Sequence, residues 1–336
     1  MLAKEKQQQQ QQQQQPLLEV KGLKKYFSTG GTGFLNKNKK YVKAVDDLSF
    51  YVNEGETLGI VGESGCGKST MGRAILQLQK PTEGQVLFQG KDISKFNAKQ
   101  IRELRKDIQI IFQDPFGSLN QRMTVGSMLS EIVRVHKIVP KKEELKYIQQ
   151  LLQDVGLNPE HYWRYPHEFS GGQRQRISIA RALAVQPKLI VCDEAVSALD
   201  VSVQAQVLNL LQKLKNDYHL TYIFISHDLS VVKHISDRVG VMYLGKMMEL
   251  SNKHMMYENP LHPYTKALFS AIPEVTTEGK KQRVILKGDV PSPLDIPTGC
   301  CFHTRCPLAT DKCKMEMPEF REAEKGHFVA CHYAGV

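Results

Sequence analysis

Thr57-Leu58-Gly59-Ile60-Val61-Gly62-Glu63-Ser64-Gly65-Cys66-Gly67-Lys68-Ser69-Thr70 decides how the chain reads. Residues 57–61 have the character of a buried strand. A glycine-rich turn follows, and from Lys68 to about Leu78 the pattern is helical. The turn fits G-x-x-x-x-G-K-[ST], in which glycines let backbone N–H groups turn inward around phosphate. The next helix offers the positive end of its dipole to the same anion. Lys68 then reaches the β- and γ-phosphates, and the Ser69 hydroxyl ligates Mg²⁺. A glycine turn alone proves little, but a strand before it and a helix after it are the context this P-loop reading needs. Gly62, Ser64, Gly65, Cys66, Gly67, Lys68, Ser69 and Thr70 are therefore the candidate phosphate-binding residues. Cys66 reads as a small space-filler rather than an activated thiol.

Outward from this stretch, strands alternate with helices. Leu17–Phe27 and Val42–Val52 read as strands around a Gly, Lys and Asn-rich loop at 28–40. Ile108–Phe112, Leu189–Cys192 and Thr221–Ser226 read as strands, with Cys192 a core residue. Residues 122–184 are mostly helical in pattern. Val203, Val207, Leu210, Leu211 and Leu214 recur at helical spacing along one apolar face. Such alternation predicts an α/β fold with a mainly parallel sheet. Gln7–Gln15 is an unbroken glutamine run, so residues 1–16 read as a disordered tail. Near residue 255 the composition shifts. Pro260, Pro263, Pro273, Pro291, Pro293 and Pro297 interrupt the pattern, and five of the seven cysteines follow, which places a domain boundary there.

Composition narrows the class. Of 336 residues, 41% are hydrophobic and 24% charged, enough for a sizeable core and unlike a disordered chain. No apolar run approaches the roughly 18 residues of a membrane span, and the start has no apolar signal-peptide segment. The sequence therefore reads as neither integral to a membrane, exported nor fibrous. Lys and Arg total 45 against 35 Asp and Glu, a formal +10, which suits an anionic partner without choosing among nucleotide, nucleic acid and acidic membrane. Without an export signal the compartment reads as reducing, so crowded cysteines suggest metal before disulfide.

Two further motifs carry chemistry. Asp193-Glu194 ends an apolar strand. A carboxylate at such a strand end, beside a P-loop strand, is where Mg²⁺ needs its second protein contact. Glu194 is then placed to orient or deprotonate water. Phe169-Ser170-Gly171-Gly172-Gln173 precedes a helix over 174–184 and reads as a second anion-binding helix start. Alone it would be an N-cap serine with two turn glycines. Since the chain already has its P-loop, a second phosphate-reading element implies use in trans.

The order is P-loop, Gln113 after a strand, Ser-Gly-Gly-Gln, acidic strand end, Ser197-Ala198-Leu199-Asp200, then His227 after a strand. In every motif and in their order this resembles the ATP-binding cassette (ABC) ATPases, over about residues 17–255. The resemblance implies an ABC-type P-loop ATPase with a mainly parallel sheet, an antiparallel β-subdomain and a helical subdomain near 122–184. It implies ATP and Mg²⁺ as ligands, with two cassettes closing head to tail. Tyr26 resembles the aromatic that stacks on adenine, with Phe27 the alternate. Gln113 resembles the residue that senses Mg²⁺ and the membrane partner. Ser170, Gly172 and Gln173 resemble the signature that binds the partner's γ-phosphate. Asp200 resembles the residue that crosses the dimer interface, and His227 the histidine on the γ-phosphate. Ser69, Gln113 and Asp193 are the implied Mg²⁺ set; Glu194, His227, Lys68 and Gln113 are the implied catalytic set. Phe169 stands where Leu is commonest and Ala195 where Pro is usual, and neither change removes a reacting group.

Val241–Lys246 and Asn259–Thr265 resemble the ATP-binding subunits of oligopeptide and dipeptide importers, and His227–Ile235 most resembles their F-type. That resemblance implies peptide import across a cell membrane, with this subunit peripheral on the cytoplasmic face. The implied partners are a D-type ATPase, two permease subunits and an extracytoplasmic solute-binding protein, with no nucleic acid. Nickel or sugar import, and a soluble ABC ATPase on ribosome or DNA, are the alternatives. Gly299-Cys300-Cys301-Phe302-His303-Thr304-Arg305-Cys306-Pro307 matches the same group's tail, in an extension over 256–336. Cys300, Cys306, Cys313 and Cys331 map onto its pattern, and some relatives carry a 4Fe-4S cluster there. Zn²⁺ and free thiols packing a small subdomain are the other readings.

Overall fold

The computed structural model describes residues 15–29, 40–272 and 284–335. Most of the glutamine tail and of the loop expected at 28–40 lies outside them. Among the described residues twelve strands form two sheets: β1 (Leu18–Ser28), β2 (Tyr41–Val52), β3 (Thr57–Val61), β4 (Glu83–Phe88), β5 (Lys91–Asp92), β6 (Ile108–Ile111), β7 (Leu189–Asp193), β8 (Thr221–Ile225), β9 (Arg238–Tyr243), β10 (Lys246–Asn252), β11 (Arg321–Glu324) and β12 (His327–Val329). The smaller is antiparallel, in the order β2-β1-β4-β5. The larger runs β11-β12-β10-β9-β3-β8-β7-β6. Its pairs from β9 through β3, β8 and β7 to β6 are parallel, and those from β9 out to β11 are antiparallel.

Burial follows from where each strand sits. β3, β7 and β8 are buried at every position, as strands covered on both faces must be. β2 lies at an edge, and from Leu48 it alternates: Leu48, Phe50 and Val52 point inward, Ser49 and Tyr51 outward. The helix Lys68–Ile75 lies between the two sheets and contacts β1 and β2 on one side, β7 and β8 on the other. Met71, Ala74 and Ile75 are fully buried there. Met71 and Ile75 each contribute about 1.5–3 kcal/mol on burial, and the Ala74 methyl less. This helix stops short of the expected Leu78, because Gln77 turns to φ 53°.

The region read as helical contains Val125–His136, Glu144–Asp154 and Gly171–Leu183. Arg134 joins the first two by a bidentate pair to Glu144, at 2.7 Å through both Nε and Nη2. Gly171–Leu183 packs on both of these helices, on β6 and on the helix Val201–Tyr218. Along Val201–Tyr218 the expected face is buried at Val207, Leu210, Leu211 and Leu214, while Val203 is half-buried.

Residues beyond 255 join the main sheet. β12 pairs with β10, so the chain returns to extend the main sheet. The joint is a fully buried carboxylate: Glu249 accepts Leu261 N–H at 2.7 Å and His262 N–H at 2.9 Å, and lies 2.7 Å from His327 Nε2. Burial keeps this network unusually strong and costly to break.

Candidate active site

Because β3, β8, β7 and β6 run parallel, their C-terminal ends line one edge. That edge carries Gly62, His227, Asp193 with Glu194, and Gln113, in the crevice where open α/β sheets bind ligands. Gly62, Gly65 and Gly67 hold φ at 148°, 78° and 106°, which side chains resist. At Gly67 a Cβ would also lie 2.0 Å from the Ala44 carbonyl oxygen. Ser64 and Gly65 are exposed, and Ser69 and Thr70 half-buried, in the first turn of the helix. Cys66 is buried, and burial raises its thiol pKa despite the opposing charge of Lys68, as fits a space-filler. Lys68 lies back along the loop, and its Nζ donates to the Gly62 and Glu63 carbonyls at 2.8 and 3.1 Å.

The Mg²⁺ candidates meet in part. Ser69 Oγ donates to Asp193 Oδ1 at 2.6 Å. Two hard oxygen donors at this spacing suit Mg²⁺. Burial pushes the Asp193 carboxyl above its usual range, against Ser69, Arg73 and Lys68, while Glu194 adds repulsion. A cation beside it would favour the charged form. Arg73, which the sequence reading missed, stands 3.8 Å from Asp193. Its signal was there, one helical turn beyond Ser69 on the same face.

Gln113, Glu194 and His227 converge. Gln113 Nε2 donates to Glu194 Oε2 at 2.9 Å, and His227 Nδ1 lies 3.4 Å from Glu194 Oε1. Glu194 takes φ 51° just after β7, which turns its side chain out of the strand's alternation. Asp228 fixes the turn behind His227 by accepting Ser230 and Val231 N–H groups at 2.8 and 3.2 Å.

Other candidates stand elsewhere. Ser170 caps the helix Gly171–Leu183 through a capping box: it donates N–H to Gln173 Oε1 at 3.0 Å and accepts Gln173 N–H on Oγ at 3.4 Å. That helix begins at Gly171, three residues before the expected Arg174, because the cap sits at Ser170. Gly172 backs onto Val203, where a Cβ would lie 2.4 Å from Cγ1. Asp200 is exposed at the start of Val201–Tyr218. Among the described residues, no side chain of Ser170, Gln173 or Asp200 hydrogen-bonds the P-loop. Phe169 and Ala195, the two departures, are both buried. Tyr26 is half-buried with its hydroxyl bonded to Asp46, which Lys246 also holds at 3.0 Å; Phe27 is exposed.

Cys300, Cys306, Cys313 and Cys331 line one small cavity of about 90 Å³ with His262, His303 and His332. Burial pushes the Cys300 thiol up to about 11, and the three other cysteines add to the rise. Among the described residues no three His, Cys, Asp or Glu side chains are grouped so as to hold one metal ion. No described helix is long and apolar enough to cross a membrane.

Residues 45–197 match the family described as "ABC transporter", and 248–313 the "Oligopeptide/dipeptide transporter, C-terminal region". The oligopeptide transport ATP-binding protein AppF of Bacillus subtilis (strain 168) is 57% identical over 319 residues, covering 94% of this chain and 97% of that protein. The di/tripeptide transport ATP-binding protein DppF of Pseudomonas aeruginosa (strain UCBPP-PA14) is 48% identical, covering 89% and 93%. Among solved structures, cbiO1 of Clostridium perfringens, part of an ABC transporter complex, is similar at TM-score 0.62 and 27% identity, covering 73% of this chain and 92% of that one. The cassette MJ0796 bound to ADP and Pi is similar at TM-score 0.61 and 28% identity, covering 70% and 98%. With the parallel strand ends carrying a P-loop and an acidic pair, the chain belongs to the ABC transporter family, among the ATP-binding proteins that carry the oligopeptide/dipeptide C-terminal region.

Proposed function

We propose that this chain is the ATP-hydrolysing subunit that energises peptide import through an ABC transporter. The carrying observation is the Glu194 carboxylate, held between Gln113 from one strand end and His227 from another, beside the P-loop. When phosphate enters the loop, Lys68 exchanges the Gly62 and Glu63 carbonyls for phosphate oxygens. The loop amides and the helix start offset the remaining charge. Glu194 accepts the proton of the attacking water, and Gln113 and His227 fix its orientation. Ser69 and Asp193 would hold Mg²⁺, which neutralises charge on the phosphates.

Ser170, Gly172, Gln173 and Asp200 lie at exposed or half-exposed helix starts, which supports their use on a second cassette's nucleotide. We take that cassette to be a D-type subunit, with this chain the F-type. Two permeases and a solute-binding protein complete the assembly, with this chain at the cytoplasmic face. The test is a mild-detergent pull-down from native membranes with this chain as bait. Recovery of two multi-span proteins, a second cassette and a solute-binding protein supports the reading. Ribosomal or DNA-bound proteins without a permease would sink it.

We also propose a 4Fe-4S cluster on Cys300, Cys306, Cys313 and Cys331. Burial and the neighbouring cysteines oppose ionisation of Cys300, and a bound cationic centre would relieve that. Anaerobically purified protein should contain iron and acid-labile sulfide. Zinc in their place, or four titratable thiols, would refute the cluster.

A further inference from the structure

The C-terminal region reaches the P-loop at Glu63. Arg305 Nη1 and Nη2 donate to Glu63 Oε2 and Oε1 at 2.7 and 3.1 Å, a two-armed pair bridging 242 positions. Such forks fix geometry as well as energy. The Arg305 side chain is 8% exposed and Glu63 27%. The guanidinium lies 5.9 Å from the centre of the Tyr243 ring. Tyr243, Tyr264 and Phe302 pack together with ring centres 4.8–5.4 Å apart. From this aromatic group, Tyr264 Oη accepts the Glu63 N–H at 3.0 Å. The Glu63 carbonyl in turn accepts from Lys68 Nζ at 3.1 Å. One P-loop residue is thus held at its carboxylate and its amide by residues beyond 255, while its carbonyl carries the phosphate-binding lysine.

We propose that Arg305 is a positioning residue for ATP binding: it fixes Glu63, and through Glu63 the half of the P-loop on which Lys68 rests. The second half of the loop has an anchor of its own, since Gly245 N–H donates to the Cys66 carbonyl at 2.9 Å, although Cys66 N–H also donates to the Glu63 carbonyl at 3.3 Å. Loss of Arg305 therefore loosens the first half most. It leaves Glu194, Gln113 and His227 untouched, and bound phosphate re-seats Lys68, so affinity falls more than turnover at saturating ATP. The expected loss is about tenfold, the lower end for a charge-assisted pair, because water reaches Glu63 and takes up part of it. The inference rests on the ATP site proposed above.

The test titrates a fluorescent ATP analogue onto the full-length chain, comparing wild type, Arg305→Ala, Glu63→Gln and the double variant, with ATPase kcat measured in the assembled transporter. Each single variant should weaken binding about tenfold, and the double variant no more than either single, because both break one contact. Thermal melts of the same samples separate affinity from folding. Unchanged affinity in folded Arg305→Ala, or losses that add in the double variant, overturns the proposal. Should Arg305→Ala not fold, Glu63→Gln decides: weakened binding with a normal melt supports the clamp, and wild-type affinity overturns it. A wild-type chain that does not bind the analogue overturns the ATP site and the clamp together, whereas wild-type binding with unaffected variants counts against the clamp alone.

Discussion

Replacing Glu194 by Gln removes a proton acceptor and changes little else. The side chain keeps its length, so its amide oxygen can still accept from Gln113 Nε2, now 2.9 Å from Glu194 Oε2. The contact with His227 at 3.4 Å is long and its ring exposed, so altering it costs little. The backbone at φ 51° suits Gln as well as Glu, so the turn after β7 survives. Stability should therefore shift by no more than about 0.5 kcal/mol. Chemistry is different. A general base contributes on the order of 10²–10⁴ in rate, or about 3–5 kcal/mol of barrier. The P-loop, Ser69 and Asp193 are untouched, so ATP affinity should stay within about twofold of wild type, well below the roughly 1.4 kcal/mol that a tenfold change represents. The assay is phosphate release by the assembled transporter, with nucleotide affinity and thermal melting measured on the same preparation. A variant that melts and binds normally but turns over at the wild-type rate would show that Glu194 is not the base.

Three further outcomes are expected. Gly67→Ala puts a Cβ 2.0 Å from the Ala44 carbonyl oxygen at φ 106°; ATP binding should vanish and the fold weaken by about 3 kcal/mol, and normal melting with normal affinity would contradict that loop geometry. Glu249→Ala strips the acceptor from two backbone N–H groups and a buried imidazole; urea unfolding should show a loss of about 3–5 kcal/mol, whereas a loss below about 1 kcal/mol would show the network to be dispensable. Burial pushes His262 down to about 4, while an unfolded imidazole titrates near 6.5. Between those values the unfolded chain binds a proton that the folded chain does not, so stability falls as pH drops from 6.5 towards 4, by on the order of 3 kcal/mol. His262→Asn keeps an acceptor for Tyr264 N–H, now 3.0 Å from Nδ1, and should flatten that slope. Equal slopes for both proteins, from unfolding curves at pH 4.5 and 7, would refute the assignment.

Much of the nucleotide-binding fold is legible because its signals are local. The strand, glycine turn and helix of 57–75 are adjacent in sequence, and each states its own conformation. β7 and β8 read as strands because burial on both faces requires unbroken apolar runs. β11 and β12 gave no such signal. They are short and Arg321–Glu324 is polar, so their conformation comes from pairing with β10 rather than from propensity. β4, β5 and the helix Ala98–Leu104 were also missed, being short and half-exposed. The candidate site residues were named singly from the sequence, and their contacts could not be. Gln113 meets Glu194 across 81 positions, and nothing in either neighbourhood encodes the meeting. Tyr26 shows the same limit: an aromatic expected to stack on adenine also has a hydroxyl committed to Asp46, and only the fold brings the two together.

The return of residues 321–329 to β10 has a consequence for synthesis. Chains emerge from the ribosome N-terminus first, at about 5–20 residues per second, and fold as units appear. The P-loop, the acidic pair and His227 are all made before residue 230, yet Arg305 and β12 come later. A nascent chain halted near residue 260 would carry every candidate catalytic group with Glu63 still unclamped and β10 unpaired on one side. A part of the chain translated after these groups thus sets the first half of the phosphate loop, and a truncated product would be a weak competitor for nucleotide. Ribosome-arrested chains of increasing length, probed with a fluorescent ATP analogue, should gain affinity once residues 305–329 have emerged, and full affinity at the shorter length would show that the order of synthesis does not matter.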